Sequence, residues 1–526
     1  MKLFKLDRIT MACAFFSIPL SLASWYTYKV DRMGEALVHP GYPLLSLEDF
    51  RVLPLIFILL AIVLPPFVRF LLSTFPLGKG KESRGWIPFL PAFLFMALWQ
   101  VPFLLALYPA PGMNDTLFMM ENPLYGAVQF PWLYSLVYGY GSTFGKYILG
   151  TREPVVFLLS LLQLLVYSYG LTAAAFWVRK RYGAIPGLFL YTWFTFFPMV
   201  GNYGIAAVRD GLFSLALLWS MILLGEGRME GRRKTASWVI VLLGLMLLRS
   251  NGIFISALLV IVLCFYTKKW RKPAAIFLLC AMVSVLPGRF ILSTHGWEPL
   301  FQESMAIPLQ QMGRVLVVEG ERSPDTVKIM EGLLSAEKWK KDYSPATVDF
   351  VKWDDYFRRN ELNREKIPFL KAWADTGLKN PRVYMEGWMT ETYALWNLDP
   401  LEYDVQSRFG WALSDENTRN MKPSDNDMLA LGDFPMPFKL KSFLGNYTFT
   451  GSQFLGTGLS LWMTLFLCFL FSCGRRKRLI LFAIPLLANT MTLLVSTPAS
   501  AVFRYSFAYV LGLPLLVVVF LFDHEK

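Results

Sequence analysis

The chain has 526 residues, is 55% hydrophobic and carries a formal charge of +13, with a mean hydropathy of +0.43. That composition excludes an ordinary soluble domain and describes a polytopic α-helical membrane protein. The basic excess does not point to nucleic acid. Residues 293–452 hold 24 of the 38 acids but 19 of the 51 bases, a balance of −5 that leaves +18 for the apolar segments and their short loops, where cytoplasmic retention of Lys and Arg accounts for it.

In chain order, Lys2, Lys5 and Arg8 precede an apolar run to about Trp25. It reads as a retained anchor, although Ser21-Leu22-Ala23 would also serve as a signal-peptidase pattern. Further spans are expected at about 52–73, 86–107, 154–178, 186–206, 211–225, 237–249, 252–267, 273–292, 453–473, 479–496 and 503–522, about twelve crossings in all. That number keeps Lys79/Lys81/Arg84, Arg179-Lys180-Arg181, Arg228/Arg232-Arg233-Lys234, Lys268-Lys269/Arg271-Lys272 and Arg475-Arg476-Lys477-Arg478 on one side, with both termini in the cytoplasm of a plasma-membrane protein. Ala127–Gly150 is apolar but broken by Pro131, Gly139, Gly141 and Gly145, and reads as a re-entrant or interfacial helix. Ser237–Thr267 as one helix would span about 46 Å against roughly 30 Å of hydrocarbon, so two short spans meeting at Arg249-Ser250-Asn251-Gly252 are expected.

The division is therefore a transmembrane region 1–292 with a large outer loop at 108–152, an extracytoplasmic domain 293–452, and C-terminal transmembrane helices 453–526. The middle region is too long for a connecting loop and large enough for a small domain. Within it a helix is expected from about Pro345 to Asn360, capped by Ser344. The aromatic stretch Tyr384–Asn397 suits either a packed belt or a sugar-stacking surface.

The chemistry concentrates at the outer ends of the spans. Tyr108–Pro131 follows an apolar segment and carries two acids, Asp115 and Glu121. Pro109, Pro111 and Gly112 stop the preceding helix there, and Asn114-Asp115-Thr116 suits the start of a short one. A carboxylate at an apolar boundary beside a polar cavity has the character of a general base. Arg209-Asp210, Arg249 with Asn251, and Arg504 beside Tyr505 lie at the ends of other spans on the same side. Each arginine suits snorkelling or internal pairing taken singly; three together suit two-point recognition of phosphate. The five cysteines sit in or at the ends of apolar segments with no metal-ligand spacing, and of the three histidines only His39 and His295 are placed for outer-face chemistry.

The order of these motifs resembles the GT-C class of multi-pass glycosyltransferases that use polyprenyl-phosphate sugars, and a little-characterised bacterial branch of it. The resemblance rests on Pro111-Gly112-Met113-Asn114-Asp115-Thr116, Val208-Arg209-Asp210-Gly211-Leu212-Phe213, Leu248-Arg249-Ser250-Asn251-Gly252, Ile307-Pro308-Leu309-Gln310-Gln311-Met312 and Phe503-Arg504-Tyr505. It implies a GT-C-like fold in which Asp115 is the catalytic base and a lipid-linked sugar is the donor. Asn114, Glu121, Arg209, Asp210, Arg249, Asn251, Arg504 and Tyr505 would contact substrate, and an extracytoplasmic glycan or lipid would be the acceptor. Two positions depart from that class. Gln129-Phe130-Pro131 lacks the histidine that often precedes the proline, and Thr116 replaces the second acid of protein mannosyltransferases, which weighs against protein as acceptor. Asp115 with Glu121 makes a poor divalent site, so no metal is expected. The rivals are a ligase or polymerase using lipid-diphosphate glycans with His295, and a lipid flippase without chemistry.

Overall fold

The computed structural model of the protein describes residues 7–33, 35–74, 87–227, 229–298, 300–398, 429–430, 435–437, 439–441, 443–444, 456–474, 476–497 and 503–523. The expected basic residues Lys79, Lys81, Arg84, Arg228 and Arg475 lie outside them, as does most of 399–455.

The transmembrane part begins with α1 (Arg8–Met33), α2 (Asp49–Thr74) and α3 (Phe89–Ala106). A loop segment follows with β1 (Pro111–Gly112), α4 (Asn114–Glu121), α5 (Pro123–Gln129) and α6 (Trp132–Leu149). Then come α7 (Glu153–Tyr182), α8 (Ala184–Phe196), α9 (Pro198–Ile205), α10 (Asp210–Glu226), α11 (Arg232–Leu248), α12 (Gly252–Thr267) and α13 (Arg271–His295). Six described helices are long and apolar enough to cross a membrane, seven if the bent pair α8–α9 is one span, and three shorter apolar helices accompany them. The protein is membrane-embedded and α-helical.

Helix α10 is the axis of the bundle. It is buried along nearly its whole length, packing on α11, α23 (Ile480–Ser496) and α24 (Ala508–Phe522). Helix α22 (Thr457–Cys473) joins this group and carries the α1–α2 hairpin on its far side, through rings such as Phe16 stacked on Phe469. The sequence Ser21-Leu22-Ala23 lies inside the continuous helix α1.

Two expected elements are corrected. The segment 186–206 is not one straight span but bends by 59° between α8 and α9. Pro198 has no N–H to continue the ladder, and Phe197 before it is extended. The helix expected at Pro345–Asn360 is instead the short α17 (Asp349–Lys352), with α18 beginning only at Arg359. Gln310 Nε2 donates to the Ser344 and Pro345 carbonyls at 2.8 and 2.9 Å, which removes them from any helical ladder. Ala127–Gly150 is distributed over α5 and α6. Helix α6 lies along the first turns of α7, bonded through Tyr134 to Gln163, and leaves Val137, Tyr140, Phe144 and Tyr147 exposed. Ser237–Thr267 falls into α11 and α12, broken at Arg249–Asn251.

The described basic clusters share one end of the bundle. Arg181 pairs with Asp523 at 3.8 Å, Lys234 with Glu226 at 2.6 Å, and Arg478 donates to the Glu226 carbonyl at 3.3 Å. The polar domain is attached at the other end. It comprises α14 (Ala306–Val317), α15 (Pro324–Leu333), α16 (Ala336–Asp342), α17, α18 (Arg359–Arg364), α19 (Lys366–Lys379), α20 (Pro381–Glu391) and α21 (Tyr393–Trp396). Leu309, Met312, Trp339, Val351 and Phe369 form its core.

The domain is clamped to the α1–α2 connection. Arg314 donates to the Pro40 carbonyl (3.1 Å) and to Glu386 Oε2 (2.9 Å), and Glu386 Oε1 accepts from the Leu45 amide at 2.9 Å. It also rests on α23, where Trp388 donates to the Leu494 carbonyl at 2.9 Å. The aromatics of Tyr384–Asn397 go into packing: Tyr384 and Tyr393 are buried, and Trp388 and Trp396 pack with the α1–α2 hairpin. Finally β2 (Leu429–Ala430) pairs antiparallel with β1.

Candidate functional site

At the end of the bundle away from the basic clusters, helix termini and the polar domain enclose a cavity of about 470 Å³. Its floor is built from three chain turns. In the first, Asp115 sits in the first turn of α4, where Thr116 Oγ1 donates to the Ala207 carbonyl at 2.8 Å and the Ala207 amide donates to the Pro111 carbonyl at 2.7 Å. These bonds fasten the acid-bearing loop to the segment that carries Arg209. Thr116 is fully buried, so a second acid at that position could not face the cavity as Asp115 does.

The second and third turns are Arg209-Asp210-Gly211 and Arg249-Ser250-Asn251-Gly252. Each ends in a glycine for a steric reason. A Cβ on Gly211 would lie 2.2 Å from the Tyr203 carbonyl oxygen, and one on Gly252 would lie 1.9 Å from that of Leu245. Only glycine lets α9 approach α10, and α11 turn into α12, this closely. Arg209 and Arg249 are thereby delivered to the same place from opposite-running helices.

Arg504 completes the floor from the single turn Phe503–Tyr505. Its Nη1 donates to Asp115 Oδ2 at 2.9 Å, and Arg209 Nη2 stands 3.6 Å from the same oxygen. Arg249 pairs with Asp210 and lies 4.3 Å over the Tyr505 ring, while Arg209 lies 4.3 Å over Phe130. Cation–π support of this kind holds guanidinium planes in place beside an open cavity. Asn251 Nδ2 donates to Thr492 Oγ1 at 2.8 Å, and Asn489 Nδ2 to the Tyr505 carbonyl at 2.9 Å. Burial pushes the Asp115 carboxyl up, but Arg504, Arg209 and Arg249 outweigh it and hold the group below the usual carboxylate range. The side chain stays 27% exposed, toward the cavity.

The floor is not fully self-satisfied. Arg504 Nε, Arg209 Nη1 and Asn251 Oδ1 are shielded from solvent and have no hydrogen-bond partner among the described residues. Buried polar atoms in that condition cost about 1–3 kcal/mol each and more for charged groups.

The sequence-expected residues therefore divide. Asp115, Arg209, Asp210, Arg249, Asn251, Arg504 and Tyr505 come together in one network. Glu121 does not: it lies six residues beyond Asp115, exposed at the far end of α4 and off the cavity wall, because a six-residue step on a helix points away from the starting face. The Asn114 backbone begins α4, and its side chain lies outside the described residues. His295 is exposed at the end of α13, bonded to the Ile291 carbonyl and stacked on Trp297 at 4.6 Å. Trp297 in turn meets Tyr125, a cavity residue, so the imidazole is separated from the cavity by two rings.

Sequence reasoning missed the remaining wall, which the polar domain supplies as Glu303, Asp349, Lys352 and Trp353. Phe118, Tyr125, Gln129 and Leu493 add neutral surface. The available signal was faint. Asp349-Phe350-Val351-Lys352 reads as an ordinary i,i+3 helical pair, and nothing local links it to Glu303.

With the geometry in hand, comparison with known proteins settles the family. The chain belongs to the family of unknown function DUF6020. Its model matches residues 119–526, so in this DUF6020 chain the arginines, Asp210, Asn251 and Tyr505 fall inside the match and Asp115 lies just before it. No curated protein and no solved structure matches the chain.

Proposed function

We propose that this protein is a membrane glycosyltransferase that moves a sugar from a polyprenyl-phosphate donor to an extracytoplasmic acceptor. The observation that carries the reading is the sharing of one cavity by Asp115 and three arginines. Guanidinium forks match phosphate oxygens, and a carboxylate at 27% exposure beside them can reach a hydroxyl. In the reaction, Asp115 removes the acceptor hydroxyl proton as that oxygen attacks the anomeric carbon. The bond from the anomeric carbon to the phosphate oxygen breaks, its electron pair leaves with polyprenyl phosphate, and the sugar emerges inverted. Arg209, Arg249 and Arg504 offset the charge on the leaving phosphate.

A carboxylate gripped by two guanidiniums is a weak base. A donor phosphate that takes over Arg504 and Arg209 loosens that grip and restores its basicity, so donor binding precedes acceptor activation. The GT-C resemblance, about twelve crossings, cytoplasmic termini and a plasma-membrane location belong to the same proposal. Clustering of the basic residues at the end opposite the cavity supports that orientation.

The lipid-diphosphate ligase reading keeps the arginines but draws its chemistry from His295, which lines no part of the cavity. A flippase has no use for a base. The test is incubation of purified protein with panels of polyprenyl-phosphate sugars and of lipid-diphosphate glycans, measuring release of polyprenyl phosphate and of polyprenyl diphosphate. Release of the monophosphate from one donor is expected; release only of the diphosphate, abolished by His295→Ala, would replace this reading with the ligase.

A further inference from the structure

The cavity has a second wall whose chemistry is opposite in sign to its floor. Lys352 is 1% exposed, and its ammonium stands 3.0 Å from both Glu303 Oε2 and Asp349 Oδ1. Burial depresses that ammonium's pKa, but Asp349 and Glu303 together raise it well above its ordinary value, so it stays charged. One cation thus orients two carboxylates, each about one-third exposed and facing the cavity. Trp353 follows on the same wall with its ring partly open, and Arg359 lies over it at 5.3 Å.

On this wall the two carboxylates line the cavity, as Arg209, Arg249 and Arg504 do on the floor. A ligand that meets both carries hydroxyl donors at one end and an anion at the other. The floor charges, three arginines against Asp115 and Asp210, leave one positive charge. The wall, two carboxylates against Lys352, leaves one negative charge and repels anions.

We propose that Glu303 and Asp349, oriented by Lys352 and flanked by Trp353, form a subsite for a neutral, hydroxyl-rich ring and exclude rings that carry a carboxylate. Carboxylates accept from sugar hydroxyls in short charge-assisted bonds, and an indole face packs against the C–H face of such a ring. This subsite rests on the glycosyl-transfer reading of the same cavity, and it assigns the class of sugar: uncharged rather than uronic or phosphorylated.

The test uses full-length protein in lipid nanodiscs, free of glycoside detergent, with two kinds of probe. Farnesyl phosphate reports the floor. Methyl glucoside, methyl galactoside, methyl mannoside and methyl glucuronide, followed by saturation-transfer NMR, report the wall. We expect at least one neutral glycoside to bind and methyl glucuronide not to. The isosteric pair Glu303→Gln and Asp349→Asn should lower neutral-glycoside affinity by roughly tenfold or more, leave farnesyl phosphate binding no weaker and reduce the discrimination against glucuronide. Trp353→Ala, which leaves the triad intact, should weaken the same glycoside. Farnesyl phosphate binding without any glycoside binding would overturn the subsite, as would glycoside binding indifferent to these substitutions or equal binding of glucuronide. Glycoside binding with those sensitivities but without farnesyl phosphate binding would uphold the subsite and remove the phosphate reading instead.

Discussion

The protein contains two buried arginine–carboxylate assemblies, and they differ in what they leave open. In the clamp between the polar domain and the α1–α2 connection, Arg314 and Glu386 are 0% and 4% exposed, and both terminal nitrogens of the arginine and both oxygens of the acid are bonded to protein. In the cavity floor, Asp115, Arg209, Arg249 and Arg504 are held by fewer bonds and keep an open side. The same residue types serve as a fastener in one place and as a receptor in the other. What separates them is the open side: Asp115 keeps 27% of its side chain exposed toward the cavity, whereas Arg314 and Glu386 are closed over.

Substitutions should therefore split the two regions. The largest effect is expected in the floor: Asp115→Asn lowers turnover by about 10²–10⁴, the usual contribution of a general base, with a modest fall in thermal unfolding from the lost pairing with Arg504 and Arg209. Arg314→Ala should do the reverse. Glu386 would keep Arg382 at 3.2 Å but lose its buried partner, and the Pro40 and Tyr42 carbonyls would lose their donor. At about 1.5–3 kcal/mol for a hydrogen bond to a charged group this reads as a clear fall in unfolding temperature, and wild-type-like unfolding would dissolve the contrast. Arg504→Ala comes next, losing charge-assisted bonds of about 1.5–3 kcal/mol and so weakening farnesyl phosphate binding with modest change in unfolding. Gly252→Ala forces the Arg249 turn apart and should reduce anion binding without removing any charge; unaltered binding would show that the turn tolerates the shift.

The smallest effect is on pH. The folded Asp115 carboxyl titrates below its unfolded value, about 3.9 for an aspartate. Its contribution to stability is complete above that value and is lost as pH falls through the folded one. Acid unfolding of Asp115→Asn should accordingly be flatter than wild type in that range. A steeper acid limb in the variant would mean that the carboxylate is not held by the arginines.

The legibility of these regions in sequence follows the range of the forces involved. Arg209, Arg249 and Arg504 stood out because each interrupts an apolar run, where a charge is expensive and therefore informative. The break at Arg249–Gly252 was readable from length alone, since one helix would overshoot the hydrocarbon. The bend at Phe197-Pro198 carried its own signal, a proline, which was absorbed into an apolar run. The Ser344 region was misread because its caps look favourable locally, whereas the carbonyls that would propagate the helix are taken by Gln310, more than thirty residues earlier. The Lys352 wall was invisible for the same reason. In a polar stretch rich in both signs of charge, nothing marks Glu303, Asp349 and Lys352 as neighbours until the chain has folded.

The most direct measurement is release of polyprenyl phosphate from a polyprenyl-phosphate hexose by wild type and by Asp115→Asn, with farnesyl phosphate affinity measured on the same two preparations. The account predicts that the variant retains phosphate binding and loses release by at least about a hundredfold. Equal release from both proteins would contradict it, and would remove Asp115 from the chemistry whatever the arginines bind.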